Sequence, residues 1–468
     1  MKLIIVSNRV CYDEKPQSGG LAAAVRNMFD TLQGVWIGWS GAISAESERK
    51  SGTVGNIEYR VFSLTEEEYR QYYLEFSNAV MWPVSHLRSD YLDYSDDAYA
   101  IYTQVNRKFA DEVLACAQEG DFVWVHDYHL LLTAQALRES GYQGALGYFH
   151  HIPVPPLDLL RAIPCHAQLL AGLLDYDVVG VQTRNDLKNL LDYFEALRSR
   201  QSEMQITPAG DECFHLQYRG RSSRFGVYPI SIDTKGIEAH AASAFAQAAV
   251  QELRQSLGAR ALVLGVDRLD YSKGLEHKLQ AFDEYLADGV DAPSPVLLQI
   301  AARTRSELPS YQQLCTALEA QASHINASHG SPSYTPVRYV NTVYAQQQLT
   351  GFYRLARVGL VTPLRDGMNL VAKEYVAAQD PDDPGVLVLS EFAGAAQELS
   401  EALLVNPFDT RGVAQAIERA LQMPLLERVQ RHRAMLKRLR SHDIQRWHQR
   451  FLADLFACHS QTLERTGS

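Results

Sequence analysis

The stretch VGLVTPLRDGMNLVAKEY, residues 358 to 375, decides the fold of this chain. Residues 358 to 362 form a short apolar run that suits a buried parallel strand. The breakers follow at 363 to 367, and from Asn369 the apolar spacing becomes helical. Strand, tight loop and helix in immediate succession put Asp366 and Gly367 at the carboxyl end of a strand. In open α/β sheets ligands bind outside those ends, and a helix starting near Asn369 aims unpaired backbone N–H groups and a positive dipole end at the same crevice. A phosphate-bearing ligand suits that position. Glu374, one turn further in, is placed to accept hydrogen bonds from a ribose diol. The alternative is a capping Asn369 followed by a solvated pair of Lys373 and Glu374.

The same alternation extends in both directions. Strands are predicted at 261–266, 296–301, 337–341, 385–390 and 402–406 with helices between them, which makes one α/β domain. Upstream, strands are predicted at 2–7, 35–41, 58–64, 122–126, 146–153, 178–183 and 226–232, with helices near 97–118, 130–139 and 185–197. That is a second doubly wound parallel sheet. The boundary falls near 235, giving domains 1–235 and 236–468, and the ligand is expected in the cleft between them. The final helix, from about 443, carries Trp447 and Phe451 on one face and can pack back on the first domain. Residues 71–83 are aromatic and only partly periodic, so Tyr73 and Trp82 read either as core or as the wall of a sugar pocket.

Bulk properties exclude several function classes. A chain of 468 residues, 46% hydrophobic and 21% charged, is a globular protein of two or three domains. Its net charge of −11 argues against a general nucleic-acid binder, so an anionic ligand needs a local basic cluster. The opening MKLIIVSNRV is too short to direct secretion or span a membrane, and a cytoplasmic location is expected. Six scattered cysteines show neither a CxxC pair nor metal-ligand spacing, and no metal or cofactor is expected.

Such a basic cluster exists. DRLDYSKG (267–274) puts Arg268 and Lys273 at a strand end, where they can grip a diphosphate, and AARTRSELPSY (301–311) puts Arg303 and Arg305 in the next loop. Asp127 and His151 end two neighbouring strands of the first domain. Gly19 and Gly20 precede a helix-forming run, which allows close backbone approach to a ligand.

The blocks SNR (7–9), SGGL (18–21), WIGWSG (36–41), YYLEFSNAVMWP (72–83), WVHDYHL (124–130), FHHIPVP (149–155), RLDYSKG (268–274) and TPLRDGMNLVAKEYVAAQ (362–379) together resemble the trehalose-6-phosphate synthase family. These are glucosyltransferases with two facing Rossmann-like domains, the GT-B type, and the resemblance covers essentially the whole chain. It implies a glucose 6-phosphate acceptor against Arg9, Trp39, Tyr73, Trp82 and Arg305, with Arg9 and Arg305 on its phosphate. It implies a nucleoside-diphosphate glucose, UDP-glucose first, against Gly20, Asp127, His151, Arg268, Lys273, Asp366, Gly367, Met368, Asn369, Leu370 and Glu374. Among these, Asp366 and His151 would orient the donor glucose, Arg268 and Lys273 hold its diphosphate, and Glu374 take the ribose. The family is thought to retain configuration by a front-side route, in which a departing diphosphate oxygen takes the acceptor proton, without metal or protein nucleophile. Two departures stand out: Val154 where relatives often carry Phe, and Arg303 two residues before Arg305.

Three other readings compete. A sibling enzyme would glucosylate glycerol 3-phosphate, although Trp39, Tyr73 and Trp82 suit a ring-sized acceptor. Asp175-Tyr176-Asp177-Val178-Val179 matches an aspartyl-phosphate phosphatase pattern, but its acids precede a strand instead of ending one. A sugar-phosphate sensor would have lost donor residues, and all are present. A separate phosphatase is expected to act on the product, and the sequence allows a homo-oligomer.

Overall fold

The computed structural model describes residues 2–10, 28–29, 33–199, 203–289, 294–305 and 307–466. They form two compact units: the described residues up to 230 with the segment from 445 onward, and residues 231–444. Among the described residues, no helix is long and apolar enough to cross a membrane.

The first unit is built on ten strands: β1 (Leu3–Arg9), β2 (Gly34–Ile43), β3 (Arg49–Val54), β4 (Ile57–Leu64), β5 (Phe122–His126), β6 (Ala145–Phe149), β7 (Val178–Val181), β8 (Gln205–Pro208), β9 (Cys213–Tyr218) and β10 (Arg221–Val227). Their spatial order is β3-β4-β2-β1-β5-β6-β7-β10-β9-β8. From β4 to β10 neighbours run parallel, while β3 and the β8–β9 pair add antiparallel edges. The central strands are apolar throughout because both faces are covered; every residue of β5 is buried. Strand order reverses direction between β1 and β5. That switch point opens a crevice at the strands' carboxyl ends.

One covering layer comes from the far end of the chain. The helix Ile444–Thr466 lays Phe451 flat on Trp124, with centroids 4.2 Å apart and planes 6° apart. Gly147 and Gly180 make room for it, since a Cβ on either would come within 2.7 or 2.9 Å of the Phe451 ring. Trp447 donates its indole N–H to the Tyr228 carbonyl at 3.1 Å.

The second unit holds six parallel strands: β11 (Leu262–Arg268), β12 (Val296–Ala302), β13 (Val337–Val340), β14 (Val358–Val361), β15 (Val386–Ser390) and β16 (Leu403–Val405). Their order is β13-β12-β11-β14-β15-β16, so the reversal lies between β11 and β14.

Two local expectations change. The partly periodic aromatic segment is a π-helix, Tyr69–Met81, closed by Trp82 N–H donating to the Ser77 carbonyl five residues back. Its wider turn brings neither the 3.6 nor the 2.0 period to the surface. The expected strand at 226–232 ends instead at Val227, and it begins earlier, at Arg221, in a register set by its antiparallel partner β9.

Candidate active site

In the first unit the switch point gathers Arg9 at the end of β1, Asp127 after β5 and His151 after β6. Asp127 sits at φ 77° and ψ 166°, a conformation side-chain-bearing residues avoid. Hydrogen bonds on both its backbone and its side chain hold it there. Its N–H donates to the Phe149 carbonyl at 2.8 Å, and its Oδ1 accepts the N–H groups of Tyr128 at 3.0 Å and His151 at 3.2 Å. His151 Nε2 lies 3.1 Å from His126 Nδ1. Burial first, then the neighbouring His126 and His150 rings, push His151 well below the usual imidazole range. Burial also takes His126 down to about 3 and His150 to about 4, so all three are neutral at pH 7.

Around Arg9 runs a chain of rings. The exposed guanidinium lies 5.6 Å from the Trp39 centroid, against Gly41, where a Cβ would meet Nη2 at 2.8 Å. Trp39 is 5.5 Å from Tyr73, Tyr73 stacks on His129 at 6.0 Å and 12°, and Tyr128 links His129 at 3.9 Å to Trp82 at 5.9 Å. Trp39 and Trp82 are each 3% exposed, whereas Tyr73 is half-buried. Of the pair that read as core or sugar wall, Trp82 packs as core and Tyr73 keeps an open face.

In the second unit the β11 and β14 ends are stitched together. Leu364 N–H donates to the Ser272 carbonyl at 2.8 Å, and Gly274, at φ 63°, has no room for a Cβ, which would lie 2.7 Å from the Thr362 carbonyl. Lys273 pairs with Asp366 Oδ2, which also accepts the Asn369 amide at 3.1 Å. Asn369, at φ 80°, caps the helix Leu370–Ala378 by accepting the Ala372 N–H at 3.2 Å. Gly367 and Met368 are buried behind this loop, and Leu370 opens the helix. Ala395 N–H donates to the Met368 carbonyl at 2.8 Å. Arg268 stands exposed at the β11 end.

Arg305 and Arg303 part company. Arg305 is buried at φ 50°, its Nη1 donating to Asp270 Oδ2 at 2.9 Å and to the Tyr311 hydroxyl at 2.6 Å. Asp270 also accepts the Ser272 N–H at 2.9 Å, which ties Arg305 to the turn carrying Lys273. Arg303 is exposed, 3.8 Å from Glu319.

The Lys373–Glu374 pair is not solvated. Lys373 is wholly buried and pairs with Glu398, while Glu374 turns the other way and accepts from the Tyr353 hydroxyl at 3.2 Å. A helix puts consecutive residues about 100° apart, so the two cannot share a face. Burial pushes the Glu374 carboxyl up to about 7, against the lowering effect of Tyr353 and Gln346.

Gly20, and Gly19 with it, lie outside the described residues. Val154 lines a small apolar cavity beside Tyr148 and His150, and its N–H donates to Asp186 at 2.9 Å. Asp177, from the phosphatase-like match, accepts the Leu146 N–H at 2.7 Å and pairs with Arg138 at 3.0 Å, a latch between elements. Sequence reasoning passed over His126, His129, Asp270 and Tyr311. All four lie inside motifs it quoted, but their partners are too distant in sequence for spacing to reveal. Among the described residues, no group of three or more His, Cys, Asp or Glu side chains is arranged to hold a metal ion.

The chain is similar to known proteins over nearly its whole length. A trehalose-6-phosphate synthase of Sinorhizobium fredii is 44% identical over 464 residues, spanning 97% of this chain and 98% of that one. A crystal structure of a UDP-forming α,α-trehalose-phosphate synthase from Burkholderia xenovorans in complex with glucose 6-phosphate superposes with a TM-score of 0.92 at 41% identity, over 97% of this chain and 100% of that one. An E. coli structure bound with UDP-2-fluoro glucose gives 0.89 at 40% identity, over 97% and 99%. The model of glycosyltransferase family 20 matches residues 2–457, from the first residue of the β1 approach to the last helix. With two α/β sheets, each with its polar residues gathered at a strand-order reversal, and a match of this length, the chain belongs to glycosyltransferase family 20.

Proposed function

We propose that this chain is an α,α-trehalose-6-phosphate synthase, transferring glucose from UDP-glucose to the anomeric hydroxyl of glucose 6-phosphate with retention of configuration. The observation that carries the reading is the end-to-end match to a synthase solved with glucose 6-phosphate, at 41% identity and a TM-score of 0.92.

The reading gives each cluster a task. Arg9, with Tyr73 and Trp39 beside it, and Arg305 take the phosphate and ring of the acceptor; Trp82 supports that surface from below. Arg268 and Lys273 take the donor diphosphate, Asp366 and His151 orient its glucose, Asp127 shapes the loop that carries His151, and Glu374 accepts from the ribose. The loop Gly367–Met368–Asn369–Leu370 brings the helix's positive end to the same ligand. Lys273 has a counter-ion in Asp366. Arrival of a diphosphate lets Lys273 exchange that partner for one that gains negative charge in the transition state.

Retention follows from front-side attack. The bond from the donor anomeric carbon to the phosphate oxygen breaks as the acceptor hydroxyl oxygen bonds on the same face, and the departing phosphate oxygen takes the acceptor proton. Positive charge at the diphosphate lowers this barrier, and one such preorganised group is worth on the order of 3 kcal/mol. His151, made a weak base by burial and by the neighbouring His126 and His150 rings, can orient hydroxyls while competing poorly for that proton. A separate phosphatase would consume the product, and a cytoplasmic location completes the reading.

The test is nucleoside diphosphate release from purified protein, with UDP-, ADP- or GDP-glucose and with glucose 6-phosphate, glycerol 3-phosphate or no acceptor, in the presence of EDTA. Release that requires UDP-glucose and glucose 6-phosphate together is the expected result. Release with glycerol 3-phosphate alone, or with no pair, overturns the assignment.

A further inference from the structure

We propose that His126 is a positioning residue: it donates its Nδ1 proton to Nε2 of His151, and so fixes His151 as a hydrogen-bond donor at Nδ1 toward a hydroxyl oxygen of the bound donor sugar. The inference rests on the reading of His151 given above and extends it to a protonation state.

Two imidazole nitrogens 3.1 Å apart share one proton: none would set lone pair against lone pair, and two would set N–H against N–H. With both rings neutral, two arrangements remain, and the second nitrogen of each ring follows from the first. If His151 Nε2 carried the shared proton, His126 would keep its own on Nε2. That atom is sealed from solvent and has no hydrogen-bond partner among the described residues. The rings around His126 are Trp124 at 4.7 Å and Trp447 at 6.4 Å between centroids, the Trp447 N–H is already given to Tyr228, and the buried His448 imidazole lies near enough to disfavour a positive charge on His126. An orphaned buried N–H is the rarer defect, so the shared proton belongs on His126 Nδ1 and the sealed Nε2 is a bare lone pair. His151 then carries its proton on Nδ1. Among the described residues no protein group hydrogen-bonds that atom, and His151 is half-buried.

The ring is fixed from both ends. Asp127 holds the His151 backbone through its N–H at 3.2 Å, and His126 holds the imidazole, the two rings lying 5.3 Å apart at 29°. Phe149, at 4.6 Å, and Trp447 of the last helix, at 6.3 Å between centroids, also pack near the His151 ring. A donor at Nδ1 suits a sugar hydroxyl oxygen, and it leaves the proton of the acceptor to the leaving group.

The direct test is long-range ¹H–¹⁵N correlation on the intact protein labelled with ¹⁵N-histidine, His151 and His126 being assigned by the signals lost in His151→Ala and His126→Phe. The expected pattern at neutral pH is a protonated-type Nδ1 and an unprotonated-type Nε2 on both rings. A protonated-type Nε2 on His151 overturns the inference, and this readout uses the wild-type protein, so it does not depend on a variant folding. Kinetics give the second arm. His126→Phe should lower kcat about tenfold, the worth of one well-placed hydrogen bond, with KM for glucose 6-phosphate within about twofold. His126→Asn, whose amide nitrogen can stand where Nδ1 stood, should recover most of it. Asn performing no better than Phe, in two folded variants, overturns the positioning role. If the tautomer is as stated but His151→Ala keeps full turnover, the assignment of His151 to the donor sugar is what fails.

Discussion

Glu374 offers a prediction in which stability and binding move in opposite directions. Burial lifts its carboxyl from 4.5 to about 7, the hydrogen bonds from Tyr353 and Gln346 offsetting only part of the cost. Between those values the native state holds a proton that the unfolded chain has released. Stability therefore falls as pH rises through that window and levels off above it. Integrated from pH 5 to pH 8, the loss is at most about 2.5 kcal/mol, and nearer 2 once the side chain's partial exposure is discounted for solvent. Glu374→Gln keeps the shape and an acceptor for Tyr353 while removing the titration. Denaturant unfolding of both proteins should show the variant gaining on the wild type by roughly 2 kcal/mol between pH 5 and pH 8. Parallel stability curves would refute the burial argument. If the ionised form accepts from the ribose, KM for UDP-glucose in the wild type rises roughly fivefold to tenfold from pH 8 to pH 6, as the ionised fraction falls from about 0.9 to about 0.1. The variant should have a raised KM with that dependence gone. A variant KM that still follows pH in the same way would assign the titration to another group.

Three further outcomes are expected. Arg268→Ala and Lys273→Ala should each cut kcat by roughly 10² or more while leaving the fold intact, and near-normal turnover in both would remove the diphosphate role. Arg305→Ala should raise KM for glucose 6-phosphate about tenfold or more, whereas the exposed Arg303, loosely paired with Glu319, should tolerate Ala within about twofold; equal effects would mean that burial against Asp270 does not mark the functional arginine. Phe451→Ala should cost about 3 to 5 kcal/mol, because the ring is fully buried against Trp124, Gly147 and Gly180. A loss under about 1 kcal/mol by calorimetry or denaturant would show that the last helix is dispensable to the sheet it covers.

The parallel core was legible because strands buried on both faces are written as unbroken apolar runs: β5 and β14 are where the sequence put them. The edges were not. β3 is almost wholly exposed and β8 nearly so, and a strand with no buried face leaves no period to read. The π-helix of Tyr69–Met81 was invisible for a related reason, since its repeat matches neither common template. At the site, residues at strand ends could be picked out from topology, but their partners could not. Arg305 meets Asp270 across 35 positions, Lys273 meets Asp366 across 93, and His126 meets His151 across 25.

Backbone geometry supplies a criterion that the sequence could not. Among the described residues, five that are not glycine have positive φ: Leu87, Asp127, Arg219, Arg305 and Asn369. Three of these five, Asp127, Arg305 and Asn369, are among the site residues expected from strand position and from the family resemblance. Such conformations cost on the order of 1 to 3 kcal/mol each and persist only where surrounding bonds enforce them. The enforcing bonds here are specific: the Tyr128 and His151 amides on Asp127, Asp270 and Tyr311 on Arg305, and the Ala372 amide on Asn369. Each of these three sits in a loop that follows a parallel strand: Asp127 after β5, Arg305 after β12 and Asn369 after β14. Strain retained at those positions, and fastened by dedicated polar partners, is the signature expected if the fold spends stability to aim Asp127, Arg305 and Asn369 at a ligand.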